Sequence, residues 1–325
     1  MIGYGRNRPD AAMREGIHLT YELIGILLSN NIMRTGGLPM IVKLNATQEA
    51  AAMEAPSWKE RMAIAFARDI NDGERIISGA HTEISFAATL LAQKVHAPNI
   101  KLQLGGTCFL VNVSDLPVFL PKTSTEYRMI RWAEIAYDHM ETFMYFGAPL
   151  GREYYKGGRP QTNKYFVADK FFAGGIQVDG NGNTNMIGLK GPGDKKYSFR
   201  GPGSIGITDI VTVATPYIFV THHDRRTLVE KVDYISMLGP KGWRENKYPG
   251  KGPKWIITPR CIFTFNEDGH AQLAGVFADT TEAWVRENTG FDFELAPDFG
   301  EIVEPTFEEL SILRNEIDRD GVLRH

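Results

Sequence analysis

The 325-residue sequence predicts an α/β domain: an open, mostly parallel sheet with helices on both faces. Three observations predict it. Short runs such as those in ERIISGA and NIKLQLGG are apolar at successive positions rather than alternating, as in strands buried on both faces. Segments with a helical apolar face alternate with these runs along the chain, which is the order of a sheet layered by helices. The chain is also long enough to bury a substantial core, at an ordinary 43% apolar and 23% charged.

The elements follow in order. Residues 1–58 read as an N-terminal extension, with a helical face at Leu19, Leu23, Ile24, Leu27 and Leu28 broken by GGLPM at 36–40. Ser57 is placed to cap a helix over WKERMAIAFARDI, with Glu60 three positions on to complete a capping box. That helix opens the main domain, 59–325. ERIISGA is a strand, ISFAATLLAQKVHAP a helix stopped by Pro98, and NIKLQLGG the next strand. Residues 128–146 are expected to be helical. KYFVADKFFAGGIQVD is a strand region, and DIVTVATPYIFVTHH has the β-branched density of another strand. KWIITPRCIFTFNEDGHAQLAGVF reads as a hairpin turning at residues 266–269. EAWVREN is a short helix, and Thr306 with Glu309 forms a second capping box before PTFEELSILRNEI.

A net charge of −3 shows no electrostatic footprint for nucleic acid or an anionic membrane. Two cysteines, Cys108 and Cys261, are too few for a disulfide framework and point to a reducing compartment. No secretory signal and no membrane-length apolar run is visible, so a cytoplasmic location is expected. No CxxC, HExxH or Walker-type pattern occurs, so neither a metal nor a nucleoside triphosphate is expected.

Glycines concentrate where predicted strands end. GAHTE lies at 79–83 and QLGGTC at 103–108. GGIQVDGNGNTN occupies 174–185, with four glycines and five Asp, Asn or Gln residues in twelve positions, and RGPGSIG lies at 200–206. Ligands bind at the carboxyl ends of strands in parallel sheets. Glycines there leave main-chain N–H groups uncovered, a hollow suited to a phosphate, a carboxylate or a developing oxyanion. Ordinary tight turns are the plainer alternative, since Asp179-Gly180 and Asn181-Gly182 are strong turn dipeptides.

GGIQVDGNGNTN followed by RGPGSIGITDI resembles the glycine-rich signatures of the β subunit of class I CoA-transferases, the glutaconate CoA-transferase type above all. The likeness continues through THHDRRTLVEKVDYIS, the predicted hairpin and ENTGFDFE, from about residue 60 to the C-terminus. It implies an open α/β CoA-transferase fold, related to that of sugar-phosphate isomerases. It also implies an α-type partner, an active site between the halves, and a coenzyme A thioester as substrate with no bound cofactor. In such transferases a strand-end glutamate of the β half attacks the acyl-CoA and becomes a glutamyl thioester. Here the corresponding strand end reads LQLGGTCF, without a glutamate. The sequence also resembles, at its tail EPTFEELSILRNEID, a hydrolase branch of the family that opens carbon rings in steroid catabolism.

The candidate catalytic positions are therefore Glu83, Gln103 and Gly105, the last at the place of the absent glutamate. Glu83 is a general base or a helix-start carboxylate favoured by the macrodipole. Candidates for contact with substrate or CoA are Gly106, Gly174, Gly175, Gln177, Asp179, Asn183, Asn185, Arg200, Gly201, Gly203 and Ser204. Asp179, Asn183 and Asn185 are expected to shape their loop while the glycines approach the ligand. Cys108 reads as a buried structural thiol, and His81 as a loop histidine. Adjacent His222 and His223 point to opposite faces of a strand, which argues against shared metal ligation.

Overall fold

The computed structural model describes residues 54–78, 83–104, 109–112, 133–136, 169–193, 195–204, 207, 214–248 and 252–325. The capping box at Ser57 opens α1 (Trp58–Asp69): the Ser57 hydroxyl accepts from the Glu60 N–H, and the Glu60 carboxylate accepts from the Ser57 N–H. Then come β1 (Arg75–Ser78), α2 (Glu83–Val95), β2 (Lys101–Leu104), β3 (Phe109–Asn112), β4 (Ala133–Ala136) and β5 (Lys170–Gly174). A run of short strands follows: β6 (Gln177–Asp179), β7 (Thr184–Asn185), β8 (Gly188–Lys190) and β9 (Tyr197–Arg200). The chain continues through β10 (Thr215–Phe219), β11 (Leu228–Val229), α3 (Pro240–Glu245), β12 (Trp255–Ile257), β13 (Cys261–Phe265) and β14 (Ala271–Val276). It closes with α4 (Glu282–Asn288), β15 (Glu294–Glu301) and α5 (Phe307–Ile312), which runs on as a π-helical turn, Leu313–Ile317.

The main sheet has the order β15-β14-β13-β12-β10-β5-β1-β2-β3-β4. Its centre, β12-β10-β5-β1-β2, is parallel throughout. Both wings carry antiparallel pairs, β2-β3-β4 on one side and β12-β13-β14 on the other. The predicted hairpin is thus the second half of a three-strand meander, turning where Gly269 adopts φ +85° and donates to the Asn266 carbonyl.

Strand pleating sorts side chains between two layers. Phe172 of β5 and Tyr217 of β10 face α1, where Phe66 meets their rings edge-on at 4.6 and 6.1 Å. Their neighbours Phe171, Ala173 and Ile218 face the opposite layer, in a cluster with Val178, Leu228, Trp243, Val285 and Phe291. That second layer is mixed. It contains α3, α4 and the small sheet β11-β6-β7, which supplies Val178 and Leu228.

Residues 133–136, expected to be helical, form β4, paired antiparallel with β3 from Phe109↔Ala136 to Val111↔Ala133. The main-chain edge of β3 offers hydrogen bonds that local helix propensity cannot outbid. The remainder of 128–146, and the helix expected over residues 19–28, lie outside the described residues.

Candidate active site

The strand order places a topological switch point between β1 and β5. From β1 the chain steps outward to β2, whereas β5 lies on the other side of β1 and leads away to β10 and β12. Crevices outside the carboxyl ends at such a point are where open α/β sheets bind ligands. The register adds a step. Ile77 lies opposite Phe171, so β1 ends at Ser78, two residues before β5 ends at Gly174. Gly174 is level with Phe219 of β10.

Two candidates, Glu83 and Gln103, lie on the elements beside this recess. Glu83 is the first residue of α2, partly buried, where a carboxylate complements the positive end of the helix. The Ser78 and Ser85 hydroxyls, 2.9 Å apart, tie the end of β1 to the first turn of that helix. Gln103 is buried on β2, between Ile77 of β1 and Leu110 of β3. Gly105, Gly106 and Cys108 belong to the connection between β2 and β3 and, with His81, lie outside the described residues.

The 174–185 segment is a buried hairpin, β6-β7, folded back from the end of β5. Its polar side chains are engaged within the chain. One Asp179 carboxylate oxygen accepts from the N–H groups of Asn181 and Asn183 (3.0 and 3.1 Å), the other from the Asn183 amide. The Asn183 side-chain oxygen accepts from the Gly239 N–H at 3.0 Å. Gln177 accepts from the Asn185 amide at 2.8 Å and the Asp233 N–H at 3.0 Å, and Asn185 accepts from Ile187 N–H at 2.9 Å. These residues shape the loop, as their short side chains suggested.

Several of the glycine N–H groups are engaged within the chain. The N–H groups of Gly182, Gly201 and Gly203 donate to Asp179, Ile187 and Met186 carbonyls respectively, so none of these three is a free donor for a ligand. A Cβ on Gly175 would lie 2.8 Å from Thr184 Cγ2, and one on Gly201 2.4 Å from Ile176 Cδ1. Close chain-to-chain approach is the requirement met there. The same contacts join residues 174–176, 185–188 and 200–203 in one neighbourhood beside the end of β5. Ser204 closes it, its carbonyl accepting from Ile207 N–H at 2.8 Å. Arg200 is exposed and donates to the carbonyls of Ile187 and Gly201.

One group at the carboxyl edge stood out less in the sequence. β10 ends at Phe219, so His222 and His223 lie beyond the strand rather than on it as expected; His222 is exposed and His223 buried. The His223 ring nitrogens meet Thr258 Oγ1 at 2.8 Å and Thr289 Oγ1 at 3.1 Å. Burial, with help from the Arg260 charge, pushes its pKa down to about 4, so it is neutral at pH 7. Cys261, beneath it, is fully buried, and burial raises its thiol to about 12 despite a hydrogen bond from Thr258. Burial opposes ionisation of Asp224, yet hydrogen bonds from Arg226 and the Thr227 N–H outweigh it and hold the carboxyl near 2. Arg226 is otherwise solvated, its side chain 91% exposed.

Comparison with known proteins agrees with this architecture. The β subunit of glutaconate CoA-transferase from Acidaminococcus fermentans is 26% identical over 270 residues, spanning 80% of this chain and 92% of that one. The β subunit of 3-oxoadipate CoA-transferase from Pseudomonas knackmussii is 29% identical over 270 residues, spanning 81% and 94%. The crystal structure of the Acidaminococcus glutaconate coenzyme A-transferase superposes with a TM-score of 0.67 at 24% identity, covering 83% of this chain and 97% of that one. The decarboxylase AibA/AibB follows at 0.65 and 21%, with coverages of 82% and 97%. IpdAB of Rhodococcus jostii RHA1 stands at 0.63 and 20%, with the same coverages. These structural likenesses show the fold. Residues 59–245, more than half of the sequence, match the family model for Coenzyme A transferase. The chain belongs to the Coenzyme A transferase family.

Proposed function

We propose that this chain is the β-type half of an enzyme that acts on an acyl-CoA thioester with an α-type partner, without forming a glutamyl-CoA intermediate. One observation carries the second half of that reading: the strand end at LQLGGTCF has no carboxylate to attack the thioester. The two named relatives are both β-type subunits of CoA-transferases, which supports the partner and the substrate class. The fold is shared with a decarboxylase, so it does not dictate transfer.

The chemistry that fits a site lacking the nucleophile is hydrolytic carbon–carbon cleavage in catabolism. Water adds to a carbonyl carbon of the substrate, the adjacent C–C bond breaks, and its electron pair becomes an enolate conjugated with the thioester. A proton then returns to that carbon. Glu83, at the mouth of the switch point, is the carboxylate of this chain assigned to proton transfer, beside any acid the partner supplies. Gln103, near the end of β2, precedes the place the family glutamate would occupy, which Gly105 takes in the sequence.

Borohydride trapping tests this. The co-purified complex is incubated with acyl-CoA, reduced, and this chain is mapped by mass spectrometry. The expected result is an unmodified chain. A glutamate reduced to its alcohol would overturn the reading and establish the second one, CoA transfer between carboxylic acids, which the named relatives favour. A complex that keeps full activity when this chain is removed would instead make it a scaffold.

A further inference from the structure

The β8-β9 hairpin stands outside the main sheet as a ribbon of two strands. Two strands alone are marginal in water, so each face needs something to pack against. The pairing is bulged: Leu189 lies opposite Phe199 and Lys190 opposite Tyr197, which leaves Ser198 as the extra residue and turns Tyr197 and Phe199 to opposite faces. The Tyr197 face is covered by the chain itself. Its ring packs on Tyr234 at 5.4 Å, the Tyr234 hydroxyl donates to the Lys196 carbonyl at 2.7 Å, and the Asp233 carboxylate accepts from the Lys190 N–H at 3.0 Å. The other face is bare. Phe199 is 52% exposed beside the half-buried Leu189. Lys190, Lys195 and Lys196 rim the ribbon, exposed and not ion-paired with any described carboxylate.

An exposed aromatic ring within a rim of like charges is the pattern of a protein interface, an apolar anchor with a polar border. A second copy of this chain is a poor occupant. A two-fold pair sets the same patch against itself, which would bring the three lysines onto their own copies. A different chain with carboxylates around an apolar patch has no such conflict. The root of the hairpin decides which chain. Gly201 packs there on Ile176, two residues beyond the end of β5, so whatever covers the ribbon also borders the switch-point recess. We infer that the Phe199 face of the β8-β9 hairpin, with its lysine rim, is a docking surface for the α-type partner. The inference rests on the proposed two-subunit reading and adds to it the surface on which the partner sits.

The test follows dissociation of the co-purified complex on dilution, by analytical ultracentrifugation at low and high salt. Phe199→Asp is expected to weaken the complex by about tenfold or more, as loss of an interface anchor does. The charge reversal Lys195→Glu/Lys196→Glu is expected to weaken it by about tenfold at low salt and by less at high salt. The control is Phe307→Asp, another exposed ring, 62% bare at the start of α5, and it leaves the dissociation constant unchanged. The lysine reversal changes solvated side chains only, so it carries the test even where Phe199→Asp disturbs the hairpin. Equal dissociation constants in wild type and lysine variant overturn the docking assignment and leave the enzymatic reading standing. So does an equal loss in Phe307→Asp, or loss of self-association of this chain with the α-type partner still bound. A wild-type chain that holds no α-type partner overturns both.

Discussion

Arg314 and Glu60, 254 positions apart, form a two-pronged ion pair in the interior, with Nε and Nη2 of the arginine 2.7 and 2.8 Å from the two carboxylate oxygens. Glu60 is completely buried, and Arg314 also donates to the Glu54 carbonyl at 2.9 Å. The same glutamate caps α1, so one side chain closes the first helix of the domain and anchors the last. Arg68 repeats the arrangement farther along α1, paired with Glu309 of the second capping box.

Removing one partner leaves a buried charge uncompensated. Arg314→Met is expected to destabilise the protein by about 3–5 kcal/mol, and Glu60→Gln by a similar amount with additional loss of the cap. The double change to Met and Gln recovers part of this, because neither partner is then left as an uncompensated buried charge. Urea unfolding of the four proteins checks the cycle. Additive losses would show that the two groups act independently.

His223 makes stability depend on pH. Its folded pKa of about 4 lies below the ordinary 6.5, so at intermediate pH the unfolded chain binds a proton that the folded chain refuses. Stability is complete above about 6.5 and declines as pH falls toward 4, by at most roughly 3 kcal/mol from this group. Denaturant midpoints between pH 7.5 and 4.5 measure the slope. In His223→Gln the slope flattens, whatever the variant's absolute stability.

Two glycine substitutions should separate strain from collision. A Cβ on Gly239 would come within 1.6 Å of the Asn181 carbonyl oxygen, so Gly239→Ala is expected to cost about 3 kcal/mol or more and disrupt the Asp179 loop. Gly73 has φ +80° but open space around it, and Gly73→Ala should cost only about 1 kcal/mol. Thermal unfolding ranks the pair.

Cys261 is expected to resist alkylation. With its thiol raised to about 12 by burial, the thiolate is scarce at pH 8, and iodoacetamide labels the Cys261 peptide only after denaturation. Rapid labelling of the native protein would contradict the buried position.

Elements whose signals are local were legible in the chain. Ser57 with Glu60 and Thr306 with Glu309 bond to main-chain groups three residues away, and both capping boxes are formed. The turn at 266–269 and the apolar strands β1, β2, β5 and β10 likewise depend on nearby residues and on burial. The glycine-rich order of 174–206 was enough for the family, because it records an entire supersecondary arrangement in one stretch. Segment 133–136 misled, since its choice of strand depends on the hydrogen-bonding edge of β3, which no window around Ala133 contains.

The same distinction runs through the site. Sequence spacing located glycines at strand ends, but it could not say what those glycines face. Gly175 and Gly201 meet side chains of the folded-back hairpin, and the amides of Gly201 and Gly203 meet carbonyls of 186–187. The switch point itself arises because β5 docks beside β1, some ninety positions later in the chain than its partner. Side-chain periodicity and capping report forces within a few residues. Which strands become neighbours, and which recess they leave, follows from burying distant apolar faces together.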